Sequence, residues 1–118
     1  MYWIIITLTL AGGLSPHIGA REQCLISGTW KHAEKEAWLY VDTQQREIVV
    51  QRHVLNPKGQ GLTVIQDLQV SEAGSDDWAG SMYSAAVDAF LPVQIIVSDC
   101  NKLTVIQNGE AILRLRRE

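Results

Sequence analysis

The chain is poor in the residues that the commoner chemistries need. Its 118 residues include two cysteines, three histidines, three prolines and one phenylalanine. Two thiols cannot build a multi-thiolate metal site or a disulfide-dense scaffold. Positive charge is short as well: ten lysines and arginines face 13 acids, for a formal charge of −3. That balance provides no excess positive potential for a phosphate backbone, so nucleic acid is not an expected partner. The one basic cluster, Arg114, Arg116 and Arg117, sits at the C-terminal end and reads as a solvated strand edge. No stretch shows helical periodicity beyond a single turn. The longest apolar run, Tyr2 to Leu14, is shorter than the roughly 20 residues of a membrane-spanning helix.

That run opens the segment MYWIIITLTLAGGLSPHIGA, which carries no charged side chain. It reads as an export signal over residues 1–20. Ser15, Pro16 and Gly19 supply a breaker region, and Ala20 ends it just before Arg21. The missing basic residues at its start are atypical, and an uncleaved anchor or a first core strand are the alternatives. AREQ before Cys24 is not a lipid-attachment sequence. A mature chain of residues 21–118 is one domain, expected in the periplasm or secreted, with no stable membrane span of its own.

What the chain does have is strand signal. Residues 60–83 organise it: Leu62, Val64, Leu68 and Val70 alternate against Thr63, Asp67 and Gln69. A polar turn, Ser71 to Asp77, leads to Trp78, Gly80 and Met82 alternating with Ala79, Ser81 and Tyr83. Before it lie Ser27-Gly28-Thr29-Trp30, then the pair Ala37–Asp42 and Glu47–Leu55 around the polar DTQQR turn. Asn56-Pro57-Lys58-Gly59 is the strongest turn in the chain. After it, Ser84–Phe90 is alanine-rich enough for one helical turn, followed by strands at Leu91–Ser98, Leu103–Gln107 and Ala111–Arg117. Asn108-Gly109 marks a two-residue type I′ turn. The pentapeptide LTVIQ occurs twice, at 62–66 and 103–107, with unlike flanks, which favours convergent strand chemistry over duplication.

Eight short strands in sequence favour an all-β, antiparallel, up-and-down barrel of lipocalin-like type. An immunoglobulin-like β-sandwich is the alternative, since Cys24, Trp38 and Cys100 have about its cysteine–tryptophan–cysteine spacing, although Ser98 stands where a tyrosine corner would need Tyr. If the first strand runs up, the sixth runs down, so Cys100 reaches the end where Cys24 enters. In an oxidising compartment the two are expected to form a disulfide worth roughly 4 kcal/mol through the unfolded chain. Two buried free thiols are the other possibility.

Gly61, Trp78, Gly80 and Tyr83, with Gly28-Thr29-Trp30 at the start and Leu103-Thr104-Val105 and Leu115-Arg116 at the end, carry a resemblance. The chain resembles a family of small exported bacterial proteins known only as a domain of unknown function, number 2147. The family has a lipocalin-like barrel and no established activity, so the resemblance implies fold alone. SAAVDAFLP after Tyr83 departs from the family's pattern.

No catalytic constellation is expected. The serines lack an elbow motif, Asp76 and Asp77 are adjacent and point apart on a strand, and His32 and His53 lack metal-ligand spacing, so no metal or cofactor is expected. His53, beside Val49, Gln51 and Leu55, reads as a surface or hydrogen-bonded residue. The aromatic set is more suggestive. Trp30, Trp38, Tyr40, Trp78 and Tyr83 read first as barrel core and second as the lining of an apolar pocket at one mouth. Arg52 and Gln66 fall on the inward faces and would meet a ligand's head group or each other. The leading expectation is therefore a non-enzymatic barrel that binds a small hydrophobic molecule. The alternative is a protein-binding module, such as a hydrolase inhibitor or envelope assembly factor, acting through the acidic Ser71–Asp77 loop.

Overall fold

A computed structural model describes residues 24–72 and 75–118. The export segment expected over residues 1–20 lies outside them. Eight strands follow one another: β1 (Gly28–His32), β2 (Ala37–Asp42), β3 (Glu47–His53), β4 (Thr63–Val70), β5 (Trp78–Ser84), β6 (Ala89–Ser98), β7 (Lys102–Gln107) and β8 (Glu110–Arg117). Each pairs antiparallel with the next, and β8 returns to β1, so the sheet is a closed up-and-down barrel. Closure excludes the two-sheet sandwich. Among the described residues no helix is long and apolar enough to cross a membrane.

Local chemistry sets the turns. The Asp42 carboxylate accepts the backbone N–H of Gln44 at 3.0 Å and of Gln45 at 2.9 Å, folding the β2–β3 turn around one side chain. Pro57 opens a single 3₁₀ turn, Pro57–Gly59, before β4. Asn108 and Gly109 both hold positive φ, 51° and 79°, as the type I′ turn requires. The helical turn expected over Ser84–Phe90 does not form: β5 runs to Ser84 and β6 begins at Ala89.

The interior is apolar and largely filled. Trp30, Val41, Ile48, Ile65, Leu68, Ile95, Leu103, Val105 and Leu115 are all fully buried in one cluster. In β4 the expected inner face holds only in part: Leu68 is buried and Val64 packs against the core, but Ile65 is buried as well, while Leu62 is 60% exposed. The cause is two β-bulges: Val49 pairs with Thr63 and Ile48 with Ile65, leaving Val64 extra, and a second follows at Asp67. Gln66 pairs with Ser81 but Gln69 with Ala79, and Asp67 takes the left-handed conformation with φ 57°. Each inserted residue exchanges the two faces of the strand. Opposite the second bulge, Gly80 lies so close to β4 that a Cβ there would stand 2.9 Å from Ile65 Cγ2 and 3.1 Å from the Gln66 carbonyl oxygen.

The two ends of the barrel differ. At the end where β1 starts and β8 finishes, Cys24 and Cys100 are joined by a disulfide with a Cα–Cα distance of 5.1 Å, as strand parity requires. Trp30 plugs this end, its Nε1–H donating to the Ile26 carbonyl at 2.8 Å. Arg117 from β8 lies over the indole and donates to the carbonyls of Ser27 at 3.2 Å and of Leu25. The neighbouring aspartates are tied in as well. Asp76 accepts from the Cys24 N–H at 3.0 Å and Asp77 from the Val97 N–H at 3.2 Å.

Candidate functional site

The opposite end stays open. His32 at the end of β1, Lys35 in the β1–β2 turn, Ala37 and Leu39 in β2, Val50 and His53 in β3, Val64 in β4, Met82 in β5 and Leu113 in β8 surround a cavity of about 150 Å³. Its walls are almost entirely carbon. Apolar cavities of about this volume stay dry and accept benzene-sized guests, whereas drug-sized pockets run to roughly 300–1,000 Å³. The size fits a single ring or a short acyl chain and is too small for a whole lipid.

His53 reaches the cavity through a bulge. Leu39 pairs with Val50 and Trp38 with Arg52, which leaves Gln51 as the extra residue. Beyond it, His53 sits opposite the buried Ala37, and Arg52 turns outward. His53 Nδ1 accepts the Asn56 N–H at 3.1 Å, and His32 Nδ1 accepts the Glu34 N–H at 3.0 Å. A neutral ring with Nδ1 accepting carries its proton on Nε2. Burial, and next the Lys35 ammonium, hold His32 below its ordinary pKa, with Glu34 opposing them.

The seven residues expected to bind a ligand do not converge on this mouth. Trp30 is fully buried at the closed end. Trp78, half-buried, packs against the core beside it, paired with Val70 and Ile95. Trp38 faces outward, with the Lys31 and Arg52 cations 5.4 and 5.1 Å from its ring, and its Nε1–H donates to Glu118 Oε1 at 2.9 Å. Tyr40 is also on the outer face. Gln66 is half-buried between Glu47 and Ser81 on the neighbouring strands. Tyr83 is exposed, bonded through its hydroxyl to Asp88, with its ring edge-on to Phe90 at 5.5 Å. Trp38 and Arg52 line an open groove of about 580 Å³ on the barrel's outside, together with Gln51, His53, Pro57 and Gln60.

None of the nine cavity residues belongs to the expected set. The available signal was a pair of histidines, each ending a strand. Among the described residues no three histidine, cysteine or acidic side chains gather to hold a metal ion. Comparison of the chain with protein-family models, curated proteins and solved structures gives no match.

Proposed function

We propose that this chain is an exported, non-enzymatic β-barrel that binds a small apolar molecule in its open mouth. One observation carries the reading: the barrel is plugged by Trp30 and strapped by a disulfide at one end, while at the other its carbon-lined interior stays accessible through a cavity of about 150 Å³. Export is supported by the disulfide, which persists in oxidising compartments, and by the apolar N-terminal segment. Kinship with family 2147 belongs to the same proposal, on the Gly28-Thr29-Trp30 and Trp78-to-Tyr83 residues. The protein-binding alternative has less support, since the carboxylates of Asp76 and Asp77 are spent on backbone N–H groups of the protein itself.

Two-dimensional amide NMR with added toluene tests it. Shifts confined to the strands around Met82, Val50 and Leu113, abolished by Met82→Trp, which fills the cavity, are the expected result. An unperturbed spectrum at saturating toluene would remove the reading.

A further inference from the structure

Around an apolar cavity, a ring of polar groups of one kind identifies the part of a ligand that stays at the surface. The mouth has such a ring. Three of the residues around it, His32, Lys35 and His53, carry nitrogen, and none carries a carboxylate. In both imidazoles Nδ1 is occupied by a backbone N–H of the following turn, leaving Nε2–H as the donor edge. Neither Nε2 has a hydrogen-bond partner among the described residues. Lys35 has an exposed side chain and no ion pair there, whereas its neighbour Glu36 sits 4.0 Å from Lys31. The three lining residues therefore bring two N–H donors and one ammonium to the rim, and the carboxylate that acts on His32, that of Glu34, does not line the cavity.

From this arrangement we infer that the ligand is a small carboxylate, with its ring or short acyl body in the Leu39, Val50, Val64, Met82 and Leu113 pocket and its carboxylate between Lys35 and the two Nε2–H groups. An ionised carboxylate is an acceptor-only group and complements a donor-only rim, while a hydroxyl or amide would leave a donor facing donors. The charged groups acting on His32 are consistent with it. Lys35, Lys31 and His53 disfavour its protonation and Glu34 favours it, so a bound anion would shift that balance toward protonation. This inference rests on the cavity being a binding site and adds the ligand's chemical class.

Benzoate and its neutral isostere benzamide, titrated into the full chain and followed by NMR, separate the two levels. Benzoate is expected to bind about tenfold more tightly than benzamide and to raise the titration midpoint of the His32 ring. Lys35→Ala removes the charge at an exposed position. His53→Asn keeps an acceptor for the Asn56 N–H and removes the Nε2 donor. Each should weaken benzoate more than benzamide and so narrow the gap between the two. Equal affinity for the two probes, or a benzoate preference that survives both substitutions, would overturn the carboxylate assignment while the apolar site stands. If neither probe nor toluene binds, the site itself is refuted.

Discussion

The guanidinium of Arg117 lies 4.2 Å from the centre of the Trp30 ring. One residue ends the last strand and the other plugs the first, so a single stacked pair ties the chain's closing strand to its core. The indole beneath is fully buried, and the fork above it reaches carbonyls at Leu25, Ser27 and Cys100. Removal of the stacking and of the charge-assisted hydrogen bonds by Arg117→Ala should cost about 2–4 kcal/mol. Arg117→Lys should recover only part of this, because an ammonium cannot serve three carbonyls from above a ring. Urea denaturation of the two variants gives the comparison, and a cost under about 0.5 kcal/mol for the alanine variant would contradict the assigned role.

Reduction of the Cys24–Cys100 bridge, which spans 76 residues of sequence, should lower stability by roughly 4 kcal/mol if the constraint acts on the unfolded chain. Denaturation with and without reductant measures it. The β1–β8 seam closes the sheet through its own strand pairs, so the reduced protein should keep its β-sheet circular dichroism.

Gly80→Ala should destabilise by about 1–3 kcal/mol, since the new methyl meets Ile65 Cγ2 and the Gln66 carbonyl at distances the packed β4 bulge cannot relieve. Ala79→Gly is a control on the same strand that loses side-chain packing and adds no clash. Thermal melts of the pair distinguish crowding from simple strand propensity.

Stability should fall as the solution is acidified through the ordinary histidine range. His32 has a lowered pKa in the fold, so below about pH 6.5 the unfolded chain binds the proton more readily than the folded one. The contribution is fully present above 6.5 and is lost progressively as pH falls toward the depressed value. His32→Asn, which keeps an acceptor for the Glu34 N–H, should flatten that part of the pH–stability curve.

Strand number, order and the cysteine pairing were readable because each rests on turn chemistry and parity, which are local. Which side chains face inward was not, and the repeated pentapeptide shows why. In β7 the copy Leu103–Gln107 buries its leucine and its valine; in the other copy, at the start of β4, the leucine is exposed and the isoleucine is buried. Identical residues present opposite faces because the bulge at Val64 resets the alternation within the first copy, and nothing in the pentapeptide itself marks it. The same effect at Gln51 carried Arg52 outward and His53 inward. The aromatic side chains scatter for a second reason. Large rings fill a barrel's closed end or stack with cations outside it as readily as they line a mouth, and Trp30 and Trp38 do one each.

The seam between β1 and β8 joins only three residue pairs, whereas β5 and β6 share seven. Its two strands lie at opposite ends of the fold in sequence, so the loop they close is the longest in the barrel and the slowest to find by diffusion. Cys100, however, precedes β7, and its bond to Cys24 can form before β8 has been synthesised. Oxidation then holds the segment leading into β1 beside the turn from which β7 and β8 extend. The last strand has a short distance to search, with Arg117 the residue that latches it onto Trp30. Seen kinetically, the bridge is an assembly jig for the least favoured pairing. The rate of barrel closure, more than the final stability, is what an early thiol oxidant would control.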